Sequence, residues 1–114
     1  MERFVIHGAK PLEGEIEVRG AKNAAFGLLA ASILTKEDCT IENLPLIEDV
    51  FRMIEILESM GAKVDWISQR KLKISTKNLE PSKVKKELVL RLRGSVLLFG
   101  PLLARFVQVR LPQP

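Results

Sequence analysis

Residues 47–75 read IEDVFRMIEILESMGAKVDWISQRKLKIS, and their hydrophobic period changes once, from helical to strand-like. From Ile47 to Met60 the apolar positions Val50, Met53, Ile54, Leu57 and Met60 recur at helical spacing, while Arg52, Glu55, Glu58 and Ser59 fall on the opposite side. Gly61 stands where a helix C-terminal cap belongs, because only glycine adopts a left-handed conformation without strain. Two short strands follow, Lys63 to Ile67 and Lys71 to Ser75, joined through Ser68-Gln69-Arg70 as a hairpin.

Working towards the N-terminus, Cys39-Thr40-Ile41-Glu42-Asn43-Leu44 is strand-like and ends at Pro45. Ala24 to Leu34 is apolar nearly all round, which predicts a helix buried on every side. Gly27 inside it is expected to permit close packing, since it otherwise costs about 1 kcal/mol against alanine. Phe4-Val5-Ile6-His7 and Glu15-Ile16-Glu17-Val18 are short β-like runs separated by Gly8, Pro11 and Gly14. The order β, helix, β, helix, β, β predicts an α/β unit with its helices on one side of a mixed sheet. Beyond Pro81 a helical region is expected from Ser82, interrupted at Arg93-Gly94-Ser95, with Ser95 as the N-cap of a helix over Val96 to Phe106.

The 114 residues suffice for one domain, and 46% hydrophobic with 28% charged residues is ordinary for a soluble globular chain. The longest apolar stretch, Val96 to Phe106, is broken by Gly100-Pro101 and carries Arg105, so it cannot cross a bilayer. Met1-Glu2-Arg3-Phe4 lacks the basic-then-apolar pattern of a secretory signal, and the cytoplasm is the expected location. The single cysteine excludes an internal disulfide, and with one histidine a zinc site is not expected; no cofactor or metal is called for. The net charge of +4 is uneven: residues 1–65 are acidic overall, whereas residues 70–93 hold nine Lys and Arg against Glu80 and Glu87. Such a segment is either a solvated lysine-rich face or a surface for an anionic partner.

Two spots carry chemistry. At Gly20-Ala21-Lys22-Asn23 a glycine turn runs into a helix, where free amide N–H groups and the Lys22 ammonium suit a phosphate or carboxylate. The Asn23 amide suits a sugar hydroxyl or amide. At Arg91-Leu92-Arg93-Gly94-Ser95 a guanidinium beside a helix break can fork onto a phosphate. In each case a solvated side chain is the plainer alternative, and Lys83, Lys85 and Lys86 read as a solvated face. Cys39 is expected to be a small core residue in a buried strand. His7 has no serine-and-acid pattern around it. Glu48 and Asp49 favourably meet a helix N-terminus, with Asp49 a secondary catalytic candidate.

Three blocks together resemble the UDP-N-acetylglucosamine enolpyruvyl transferases (1-carboxyvinyltransferases). They are Gly20-Ala21-Lys22-Asn23-Ala24-Ala25 after Gly14-Glu15-Ile16; Ile41-Glu42-Asn43-Leu44-Pro45 with Asp49-Val50 and Leu57 to Val64; and Arg93-Gly94-Ser95 with Gly100 to Phe106. The sister family acting on shikimate 3-phosphate shares the repeat but opens its first helix with a serine-rich motif. The resemblance implies an inside-out α/β barrel of βαβαββ repeats, of which this chain would hold about one and the start of a second. Residues 1–20 would be strands of the second domain, and residues 21–114 an incomplete first domain.

The implied reaction moves enolpyruvate from phosphoenolpyruvate to the 3-hydroxyl of UDP-N-acetylglucosamine, the first committed step of peptidoglycan synthesis. It proceeds by addition and elimination without a metal, and phosphate leaves. Lys22 would contact phosphoenolpyruvate, Asn23 the sugar, and Arg93, preferred to Arg91, the nucleotide-sugar side. The family's Gly-Gly-Cys loop, whose cysteine is general acid and fosfomycin target, would begin where Gln113-Pro114 stand. By this reading the 114 residues alone do not turn over and are marginally stable, with uncovered faces free to self-associate. The rivals are the shikimate relative, a non-catalytic basic module using residues 70–93, and a pseudoenzyme remnant. Against the basic module, that segment has no aromatic residue to stack on bases and no nucleic-acid motif.

Overall fold

The computed structural model describes residues 2–112; Met1, and Gln113-Pro114 where the cysteine loop was expected to begin, lie outside the described residues. The helix read from the 47–60 periodicity is α2 (Glu48–Ser59), and Val50, Met53, Ile54, Ile56 and Leu57 are buried along it. Gly61 ends it at φ +109°, as the cap position requires, and a side chain there would also strike the Asn78 carbonyl at 2.8 Å. The hairpin forms as β2 (Lys63–Ser68) and β3 (Lys71–Ser75). The earlier strand is β1 (Cys39–Ile41), preceded by α1 (Lys22–Ala31), whose C-terminal end tightens into a 3-10 turn at Ser32–Leu34.

The sheet has three strands in the order β1-β3-β2, and both pairings are antiparallel. This corrects the expected mixed sheet. Ile41 pairs with Leu72, and Cys39 and Val64 both pair with Ile74, so one face is apolar and packs on the helices. The other face carries Lys71 and Lys73, paired with Glu42 and Asp38 at 3.1 and 3.2 Å. Cys39 is half-buried at the edge of the core rather than fully inside it.

Residues 2–19 form neither of the expected strands. Phe4 is 95% and Leu12 99% exposed. Alternation supplies a strand's side chains but not its hydrogen bonds, and no described strand edge runs alongside this arm to complete a ladder.

Helix α1 also departs from its reading. It buries Ala25, Phe26, Leu29 and Ala30 against the core, but Leu28 stays 54% exposed. Apolar composition all round reports how much of a helix could be buried, not how many neighbours cover it. Gly27 has no atom within 4 Å of the place a Cβ would take, so it serves no close approach here. Gly27→Ala is therefore expected to raise the stability of this chain by up to about 1 kcal/mol, read as a higher urea midpoint at unchanged slope.

After β3 the chain makes a 3-10 turn at Pro81–Lys83 and then α3 (Lys86–Leu90), shorter than the expected helix from Ser82. A second 3-10 segment, Arg93–Leu98, runs directly into α4 (Phe99–Arg105). Ser95 is consequently not an N-cap. Its hydroxyl is buried and donates to the Val89 carbonyl at 3.4 Å, stitching this segment to α3. Arg105 closes the unit: its guanidinium donates to the Ile33 carbonyl, the Thr76 hydroxyl and the Lys77 carbonyl at 3.0–3.2 Å. Among the described residues no helix is long and apolar enough to cross a membrane.

Candidate functional site

The site begins at Gly20, where a Cβ would lie 2.1 Å from the Asn43 carbonyl oxygen. Only glycine lets the backbone pass this close to the β1–α2 loop. Ala21 is extended, and α1 starts at Lys22 without a side-chain cap, leaving its first amides unsatisfied within the helix. Asp49, in the first turn of α2, faces this end, and Lys22 Nζ lies 3.2 Å from its Oδ2. Both side chains are nearly half exposed, so the pair holds Lys22 with only about 0–1 kcal/mol.

Across from the α1 terminus runs the segment 91–97, and a cavity of about 500 Å³ lies between them. Lys22, Asn23, Arg91 and Arg93 all reach it, with Phe26 and Asp49 in its wall. The residues singled out in sequence, Lys22, Asn23 and Arg93, thus share one cavity although Arg93 lies far along the chain. Arg91, set aside in favour of Arg93, belongs there too. Three cationic side chains face one carboxylate, so the cavity is electropositive and suits an anion with several oxygens. Sequence reading missed Phe26, although it sits four residues after Lys22 and therefore on the same helix face.

The other candidates lie elsewhere. His7 is on the exposed arm, and Cys39 sits on β1 and takes no part in the cavity wall. Of the basic segment only Arg91 and Arg93 reach the cavity; Lys71, Lys73 and Lys83 make surface ion pairs with Glu42, Asp38 and Glu80. Most of that cluster is the solvated face that composition allowed. Among the described residues, no three His, Cys, Asp or Glu side chains converge as a metal site.

A separate groove between α2 and α3 is lined by Glu55, Glu58, Glu87, Lys85 and Arg91. Partial desolvation in this groove pushes the Glu58 carboxyl above the ordinary carboxylate range although the residue remains exposed, and the Glu55 charge adds to the shift. The folded state then binds this proton more tightly than the unfolded one. Stability should fall as pH rises from the ordinary carboxylate pKa through the raised one. Glu58→Gln is expected to raise the melting temperature at neutral pH, with the gain vanishing in acid where both states carry a protonated Glu58.

Known proteins resemble this chain in sequence and in structure. The family model described as EPSP synthase (3-phosphoshikimate 1-carboxyvinyltransferase) matches residues 6–112. A UDP-N-acetylglucosamine 1-carboxyvinyltransferase of Bradyrhizobium diazoefficiens is 39% identical over 112 residues, 98% of this chain and 26% of the relative. One from Carboxydothermus hydrogenoformans is 42% identical over 114 residues, 100% of this chain and 27% of the relative. The chain spans about a quarter of the length of the curated relatives it matches. Among solved structures, the enolpyruvyl transferase NikO from Streptomyces tendae superposes with a TM-score of 0.72 at 26% identity, over 88% of this chain and 23% of that one. With nearly its whole length matched in sequence and most of it in structure, the chain belongs to the EPSP synthase (3-phosphoshikimate 1-carboxyvinyltransferase) family.

Proposed function

We propose that this chain supplies one wall of the active site of a UDP-N-acetylglucosamine 1-carboxyvinyltransferase. In this reading Lys22 neutralises phosphoenolpyruvate, Asn23 holds the sugar, and Arg93 engages the nucleotide-sugar side. The observation that carries it is the electropositive cavity on which Lys22, Asn23 and Arg93 converge. The names of relatives 39–42% identical to the chain favour the nucleotide sugar as acceptor.

The chemistry asked of this wall is electrostatic. Enolpyruvate transfer adds the sugar 3-hydroxyl oxygen to C2 of phosphoenolpyruvate as its C3 methylene gains a proton. It then expels phosphate from C2 as C3 loses a proton, so negative charge shifts between carboxylate and phosphate oxygens throughout. Cations beside those oxygens stabilise the charge as it moves. Proton transfer to the C3 methylene we assign, in this reading, to the family's cysteine loop outside these 114 residues. Residues 2–19, exposed and without strand pairing, fit strands that complete a sheet of a second domain. Residues 21–114 would then be part of the first domain. Both substrates are cytoplasmic metabolites, so the reading places the protein there.

The test is an amide chemical-shift titration of the isotope-labelled chain with UDP-N-acetylglucosamine and, separately, with shikimate 3-phosphate. Saturable shifts at Lys22, Asn23 and Arg93 with the nucleotide sugar alone are expected. Saturation by shikimate 3-phosphate instead would move the chain to the other activity named in its family's description. Silence towards both would remove the binding roles from this wall.

A further inference from the structure

We propose that Gly94 and Phe26 are a matched pair that sets the width of the cavity, and so places Arg93 opposite Lys22 and Asn23. The proposal rests on the reading of this cavity as the nucleotide-sugar site, and makes Phe26 and Gly94 positioning residues rather than ligands.

A Cβ at residue 94 would stand 2.5 Å from Phe26 Cε2, 2.8 Å from Cδ2 and 3.4 Å from Cζ. Real Cβ contacts are not that short, so a methyl at this position forces one partner to move. Neither moves cheaply. Phe26 is 5% exposed, with its ring inside the core. The 3-10 segment that begins at Arg93 is pinned by buried Leu92, Ser95 and Leu98, and by the Ser95 hydroxyl on the Val89 carbonyl. The glycine is not needed for backbone conformation either. Positive φ among the glycines occurs only at Gly14 and Gly61. Space is therefore the sole reason for glycine at 94, and the ring of Phe26 defines that space.

The consequence reaches the ligands through short covalent links. Lys22 and Phe26 are one turn apart on α1, and Arg93 is the residue before Gly94. Where Phe26 meets Gly94, α1 touches the 91–97 segment, and the side chains on either side of that contact line the cavity. Pushing Gly94 off the ring pushes Arg93 away from the α1 terminus. A two-phosphate ligand held at both walls would lose one of them.

The experiment uses four forms of the chain: the parent, Phe26→Leu, Gly94→Ala and Phe26→Leu with Gly94→Ala. Leucine lacks the ring atoms that the methyl would strike, so the double variant restores room. Nuclear Overhauser contacts between residues 26 and 94 read the wall-to-wall approach, and titration with UDP-N-acetylglucosamine reads affinity. Gly94→Ala should lose those contacts and bind about tenfold more weakly, the equivalent of roughly 1.4 kcal/mol. The double variant should recover most of both. An unfolded Gly94→Ala with a folded, binding double variant would support the pair equally. Unchanged contacts and affinity in Gly94→Ala, or no recovery in the double variant, would overturn it. If the parent does not bind the nucleotide sugar, the functional reading falls, and the contacts alone decide the matched pair.

Discussion

Leu57→Ala is expected to cost about 3–4 kcal/mol of unfolding free energy, enough to leave a large unfolded population in dilute denaturant. Leu57 is fully buried in the last turn of α2, a helix that packs on α1 and on β2. The loss has two parts: the transfer free energy of the removed carbons, and a cavity whose walls collapse only in part, since Gly61 fixes the end of α2 close beside Leu57. Domains of this size commonly have only about 5–15 kcal/mol in total. Residues 2–19 order chain without adding to the core, which argues for the lower part of that range. Leu28→Ala is the control, since Leu28 stays over half exposed on α1 and should cost about 0.5 kcal/mol or less. Urea unfolding of both variants measures the difference. Equal costs would mean that the α1–α2 interface is not the core of this chain.

How much could be read from sequence follows from how local each signal is. Helix α2, its glycine cap and the β2–β3 hairpin depend on periodicity and on turn residues within the segment, and all three were legible. The wholly antiparallel sheet was not, because the expected mixed sheet counted on strands in the 4–18 segment finding a partner. A strand-like pattern there says what the segment could do beside an edge, not that an edge is present. Helix α1 fails for the same reason: its composition suits burial all round, while the neighbours in this chain cover one face. Ser95 looked like a cap because serine beside a helix break usually is one, yet its hydroxyl is spent on Val89.

The site divides in the same way. Lys22, Asn23 and Arg93 were singled out by type and by resemblance, but their shared cavity is a tertiary fact. Arg91 was set aside on a choice between neighbours in sequence that the fold does not require. Gly94 was read as a helix interruption; its closeness to Phe26 depends on the packing of α1 against a segment almost seventy residues away.

The two members of the Lys22–Asp49 pair should respond in opposite directions. Lys22→Ala is expected to weaken binding of phosphoenolpyruvate roughly 10- to 100-fold, since hydrogen bonds to charged groups contribute about 1.5–3 kcal/mol. Asp49→Asn removes the carboxylate that competes with a ligand for the same ammonium. If competition dominates, binding should tighten by up to about fivefold, because the exposed pair is worth no more than about 1 kcal/mol. The alternative is that Asp49 orients Lys22, in which case Asp49→Asn weakens binding too. The geometry favours competition: the pair is half exposed and Lys22 makes a single contact of 3.2 Å with one carboxylate oxygen, too loose to hold a four-carbon side chain in one rotamer. Isothermal titration with phosphoenolpyruvate, in the presence of the nucleotide sugar, separates the cases. A Lys22→Ala chain that binds phosphoenolpyruvate as well as the parent would place the phosphate elsewhere in the cavity, nearer Arg91 and Arg93.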